Sequence, residues 1–428
     1  MIEDLKGKKV SIWGTGMGGK KMYTFLKSHA EIVCFYDSDE RKRGTFLYDV
    51  PIRKWSPNEP STYIIIASDY WREIIPELVA NGLKIFKDFT IHDFLQNDLP
   101  KEYSLLCEIQ ECTGEWNEED WTRYKGNKKI AVIHGGCKGT SLGVLLSLHP
   151  TFADNYIVVE TPRELYINSF YPATVREIAF KYMNDVTFLQ QIDLFFHEVK
   201  DAKKTWIMDQ DIIMSRLNPD CKKVLMSSLR FSGYFPQCRA NEKKWIPVLQ
   251  LYNVRYRDKC IDALCKEGCS ADEIVKKIAS EDYLSPEEVE DFMRVSLSMM
   301  ELQEKKIDVK IHDYIAEHGY EEQLFYDPSH PNNKVLIEYA NRLVQYIFPE
   351  NNKKLQDIYC YDELVLQLVQ LHLWKTPVYP CVVKALGLKK YEKSYRINGN
   401  TGFTHPLTLD EYIHEYIRIY YGDTATMR

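Results

Sequence analysis

At 428 residues, with 45% hydrophobic and 27% charged side chains, the chain has the composition of a folded protein of two or three domains, which excludes disorder and fibrous repeats. Its 55 basic against 62 acidic residues leave a formal charge of −7, so there is no broad cationic footprint for nucleic acid or an anionic membrane. No apolar run approaches the ~20 residues of a membrane span, the opening MIEDLKGKK lacks a secretory core, and eleven cysteines are scattered without a repeated spacing; reduced thiols and a cytoplasmic location are expected.

In chain order, residues 1–98 read as a Rossmann-like parallel-sheet domain. Strands fall at 10–13, 32–36 and 63–67, with a helix at 20–28, a short strand at 50–52 and a second helix carrying Ile74, Ile75, Leu78 and Val79. Residues 99–128 turn polar and acidic and read as a helical linker. A second α/β domain spans 129–428, with strands at 130–134, 156–159, 194–196 and 224–226 and helices between them, the pattern of another parallel sheet. Within it, 256–319 is a helical insert whose clearest start is Ser285-Pro286-Glu287-Glu288, a capping box with Pro at the first helical position. The tail, 352–428, reads as helical and aromatic. Its Tyr412, Tyr416, Tyr420 and Tyr421 suit packing or an interface between copies of the chain.

Two constellations carry chemistry. Gly14-Thr15-Gly16-Met17-Gly18-Gly19 sits between a strand and a helix, the context in which Gly14, Gly16 and Gly19 form a turn that lets a pyrophosphate, as in NAD, approach backbone N–H groups. Asp37, at the end of the next strand, is placed to accept hydrogen bonds from ribose hydroxyls. The same residues also fit a tight turn that holds no nucleotide.

The second begins where strand 130–134 leads into Gly135-Gly136-Cys137-Lys138. A cysteine at a helix start beside a lysine favours the thiolate. Far downstream, Tyr326-Asp327-Pro328-Ser329-His330-Pro331-Asn332 spaces a carboxylate and an imidazole so that Asp327 can hold one nitrogen of His330 while the other meets a nucleophile. Gly233, in a loop at the carboxyl ends of the strands, is a candidate backbone donor for an oxyanion. Cys260, Cys265 and Cys269 have no paired spacing and no matching histidines, so no metal site is expected.

The run IWGTGMGGKKMYTFLKSHAEIVCFYDSDERKRG, with VPI and IIIAS after it, resembles the Rossmann-like N-terminal domains of bacterial sugar O- and N-acetyltransferases. That resemblance implies a nucleotide sugar as an alternative to NAD. A nucleophile after the first strand and Asp-x-x-His-Pro before the last helix resemble the SGNH hydrolase superfamily with cysteine in place of serine. Closer still, HGGCKGTSLGVLLSLHP, IDLFFHEVKD, SSLRFSGYFPQ, FYDPSHPNNKVLIEYANRLVQYI and TPVYPCVVKALGL resemble the WcbI family of capsule polysaccharide biosynthesis proteins. The chain departs from that family's Gly-Asn-Cys-Gln at Gly136, where the amide is absent, and at Lys138, and again at His197, where glutamine is expected, so Lys138 and His197 become candidates for completing an oxyanion or substrate site. The resemblance implies an SGNH-like three-layer α/β/α domain that uses acetyl coenzyme A to acylate a sugar in capsule or other surface polysaccharide synthesis, through Cys137, His330 and Asp327. A cysteine-based esterase or thioesterase, and a non-catalytic scaffold that binds coenzyme A or a nucleotide sugar, stay open beside it.

Overall fold

The computed structural model describes residues 5–57, 62–68, 71–85, 87–91, 127–162, 186–199, 210–240, 245–246, 251–252, 256–358, 375–397 and 406–422. Nearly all of the 99–128 linker, and parts of the tail, lie outside them.

Near the N-terminus, β1 (Lys9–Trp13), β2 (Glu31–Tyr36), β4 (Val50–Arg53), β5 (Tyr63–Ile66) and β6 (Phe89–Ile91) pair in parallel, with β3 (Phe46–Leu47) antiparallel at one edge; the order is β3-β4-β2-β1-β5-β6. Alternation within the strands sorts the core. Val10, Ile12, Phe35 and Ile65 meet α1 (Met17–Leu26), whereas Trp13, Tyr36, Ile64 and Ile66 belong to the cluster that contains α2 (Trp71–Ala80).

The second sheet is wholly parallel and runs β10-β9-β7-β8, from β7 (Lys129–Gly135), β8 (Tyr156–Pro162), β9 (Ile192–Glu198) and β10 (Lys222–Met226). Where the β7–β9 register slips beside Ile130, the Asp193 carboxylate accepts the Ile130 N–H at 2.9 Å and closes the irregularity. Val309 pairs in parallel with Met226, so the chain adds a further position beyond β10. One face is covered by α3 (Cys137–Leu148), and Ile130, Val132, Ile192 and Phe195 on the other pack with α4 (Val186–Leu189) and α5 (Gln210–Arg216). Helix α3 is buried along nearly its whole length because α2 flanks it as well as the sheet, and α2 thereby joins the cores of the two sheets into one cluster. A mostly parallel sheet with one antiparallel edge strand, a wholly parallel sheet and the helical additions confirm the α/β class expected from the sequence.

The 256–319 region opens with a strand, not a helix. Here β11 (Cys238–Ala240) pairs antiparallel with β12 (Tyr256–Asp258) before α6 (Lys259–Lys266), α7 (Ala271–Ile278), α8 (Pro286–Glu304) and α9 (His312–His318). The capping box at Ser285 forms as expected: its hydroxyl accepts the Glu288 N–H at 3.2 Å and its own N–H donates to the Glu288 carboxylate at 2.9 Å. Ser270 with Glu273 caps α7 in the same way. A final segment supplies β13 (Phe325–Asp327), β14 (His330–Pro331), α10 (Asn333–Ile347), α11 (Pro380–Leu386) and α12 (Leu409–Tyr421), with Thr408 and Glu411 capping the last.

Candidate active site

In the order β8-β7-β9-β10 the chain winds outward in both directions from β7 and β9, and open parallel sheets of this kind bind ligands beyond the strand ends at that switch point. Cys137 is the first residue of α3 at the end of β7, with Gly136 as an N-cap that places no side chain over the helix start. Gly135 is closely packed: a Cβ there would lie 3.2 Å from the Glu198 Oε1 and 3.2 Å from the Gly139 Cα, so a side chain would need both to give way slightly. Lys138 is buried at 4% exposure, and its Nζ donates to the Ser228 carbonyl in the loop that follows β10.

That loop, residues 227–231, connects the two halves of the site. Its Ser227 N–H donates to the Tyr339 hydroxyl at 2.6 Å, Leu229 takes a positive φ of 45°, and its Phe231 N–H donates to the Pro328 carbonyl at 3.0 Å. One end is therefore bonded to the residue after Cys137, and the other to the turn between Asp327 and His330. Placing a buried leucine in the left-handed region costs about 1 kcal/mol or more and is sustained here by contacts on both sides.

Within the turn, the Ser329 N–H and hydroxyl donate to Asp327 Oδ1 at 2.6 and 2.9 Å, and His330 Nδ1 meets Asp327 Oδ2 at 2.5 Å. Both residues are buried. Burial alone would raise the Asp327 carboxyl, but the bonds from His330 and Ser329 outweigh it and hold the group below its ordinary value. With Nδ1–H donated to the carboxylate, Nε2 is the basic nitrogen of His330. Asn332 then caps α10, accepting the Val335 N–H at 3.1 Å, and fixes where the helix starts after the histidine.

The other sequence candidates are placed differently. His197 stacks on Phe195 at 5.9 Å and accepts from the Gln210 side chain at 2.8 Å, which puts it on the α5 face, away from α3. Its neighbour Glu198, which the sequence reading passed over, is buried at 6% exposure on the face of Leu194 and Phe196 and lies against Gly135. Gly233 is set by packing, since a Cβ would sit 2.5 Å from the Met293 sulfur of α8 and 2.5 Å from the Phe231 ring. Gly233→Ala is accordingly expected to lower the urea midpoint of unfolding by the equivalent of about 1–3 kcal/mol, the usual cost of overpacking; an unchanged midpoint removes the packing reading.

In the N-terminal turn, Gly14 has φ +118° and a Cβ would lie 2.6 Å from the Ala67 carbonyl, while a Cβ on Gly19 would strike the Gly14 carbonyl. Both glycines are therefore required by the fold itself, whereas nothing lies within 4 Å of a Cβ on Gly16. Asp37 is engaged by the Thr15 hydroxyl, by Lys42 Nζ at 3.2 Å and by the Asp39 N–H at 2.8 Å. Among the described residues no group of His, Cys, Asp and Glu is arranged to hold a metal ion, and no helix is long and apolar enough to cross a membrane.

Comparison with known proteins gives a family and a fold. The solved structure of WcbI, described as a novel polysaccharide biosynthesis enzyme in its native form without a disulfide bond between coenzyme A and one of its cysteines, is similar in fold. The TM-score is 0.52 at 15% identity, covering 70% of this chain and 97% of that one. No curated protein matches the sequence. The family described as polysaccharide biosynthesis enzyme WcbI matches residues 130–348, just over half of the chain and the whole stretch from β7 through α10, and the chain belongs to that family.

Proposed function

We propose that this member of a polysaccharide biosynthesis family transfers an acetyl group from acetyl coenzyme A to a sugar hydroxyl. The observation that carries the reading is the buried Asp327–His330 pair, joined through loop 227–231 to the residue beside Cys137. The similar WcbI structure, described as the native protein without a disulfide bond between coenzyme A and a cysteine, concerns those same two groups together, which supports the reading.

In this reading His330 Nε2 takes the Cys137 thiol proton as the sulfur attacks the thioester carbonyl. The departing thiol of coenzyme A takes that proton back, leaving acetyl-Cys137. His330 then removes the proton of the sugar hydroxyl as its oxygen attacks the acetyl carbon, and returns it to the Cys137 sulfur as that bond breaks. Asp327 holds the tautomer throughout, and the N–H groups opening α3 are the local donors for the developing oxyanion.

Intact-mass measurement after incubation with acetyl coenzyme A should show one added acetyl group, absent in Cys137→Ala, and a sugar acceptor should discharge it. Release of acetate without a sugar points instead to an esterase. The acyltransferase reading fails if coenzyme A release is equal in wild type, Cys137→Ala and His330→Ala with every acceptor tried.

A further inference from the structure

Glu198 ends β9, and its buried Oε1 is 3.2 Å from where a Gly135 Cβ would be, two residues before Cys137. The same point is 3.5 Å from the Gly139 nitrogen in the first turn of α3. By chain geometry the carboxylate is within roughly 10 Å of the Cys137 backbone. At that range a buried carboxylate repels a thiolate at the helix start.

The charged and titratable groups near this point among the described residues include Lys138 on α3, Asp327 and His330 on the β13–β14 turn, and Tyr339 on α10, beside which Glu304 and Asp308 lie as well. Arg230 in the intervening loop is exposed, and His134 and His197 stack with Phe195 on the far face of the sheet. Lys138 and a protonated His330 favour the thiolate. Glu198 opposes them from the opposite strand end.

From this juxtaposition we infer that Glu198 is a positioning residue that holds Cys137 as a neutral thiol until His330 accepts its proton. The inference rests on the reading of Cys137 as the nucleophile. Its consequence is that sulfur activation depends on the His330–Asp327 pair and not on the helix start alone, which guards a reactive cysteine in the resting protein.

The test is the pH profile of Cys137 alkylation by iodoacetamide in the full chain, followed by peptide mapping. Glu198→Gln should move the midpoint down by about one pH unit. Glu198→Asp, which keeps the charge on a shorter arm, should move it less but in the same direction, and is the readout if the Gln variant does not fold. Lys138→Met should move it up. A midpoint unchanged or raised in a folded Glu198 variant, with Cys137 still the most reactive thiol, overturns the role of Glu198 alone. If another cysteine reacts ahead of Cys137 in the wild type at every pH, the nucleophile reading falls and this inference with it.

Discussion

His330→Ala is expected to slow acetyl transfer by ~10²-fold or more, the usual loss when a positioned general base is removed. The structure makes a sharper statement about its partner. Asp327 Oδ1 accepts two donors from Ser329, one of them a backbone N–H that cannot be turned around. An asparagine at this position must therefore keep its carbonyl oxygen toward Ser329 and present its amide N–H₂ to His330 Nδ1. Nδ1 then has to accept, the ring proton moves to Nε2, and the nitrogen that should take the nucleophile's proton is already occupied. Asp327→Asn is thus expected to cost at least as much as His330→Ala, with the protein still folded because volume and hydrogen-bond count are preserved. Single-turnover coenzyme A release, measured alongside circular dichroism, checks this. A folded Asp327→Asn variant with near wild-type turnover shows that the pair does not act as a base.

The strands and the Asp-x-x-His turn were legible because each is written in local sequence: apolar runs with β-branched residues, and two side chains three positions apart. Glu198 was not. Its approach to Gly135 arises from the parallel pairing of β7 with β9, whose register sets His134 opposite His197 and leaves Glu198 as the next residue along. Adjacent strand residues point to opposite faces, so a comparison of motifs that is right to within one position still selects the wrong side of the sheet. His197 illustrates this, since the side chain on the α3 side of the sheet, against Gly135, belongs to the residue after it. Loop 227–231 was hidden for a related reason, because its contacts to Lys138 and Pro328 span ~100 residues in each direction. The N-terminal glycines show the converse. Their spacing was read as a pyrophosphate turn, yet two of the three are already required by the carbonyls of Ala67 and Gly14, so the motif's presence follows from the turn whatever the turn holds.

Asp258→Asn should stabilise the protein at neutral pH and lose that advantage in acid. Asp258 caps α6 by accepting the Cys260 and Ile261 N–H groups at 2.9 and 3.0 Å, and accepts the Tyr379 hydroxyl at 2.6 Å, while its own N–H donates to the Tyr416 hydroxyl at 2.9 Å. It thus ties the helical insert to α12 and to the start of α11. Burial pushes its carboxyl up to about 6, against hydrogen bonds that pull the other way. A carboxyl raised in the fold binds its proton more tightly there than in the unfolded chain. Its contribution is accordingly full below about pH 4, declines as pH rises, and is lost by pH 6 to 7. The gap between about 4 and about 6 corresponds to about 3 kcal/mol. Asparagine keeps an acceptor for the α6 N–H groups and offers a donor to the Tyr379 oxygen without carrying the buried charge. The stability of the variant minus that of the wild type, from urea unfolding, should therefore rise by about 3 kcal/mol between pH 4 and pH 7, while carboxylates common to both proteins cancel in the difference. A difference that stays flat across this range means that Asp258 is not raised, and one that falls means that its anion is the form the fold prefers.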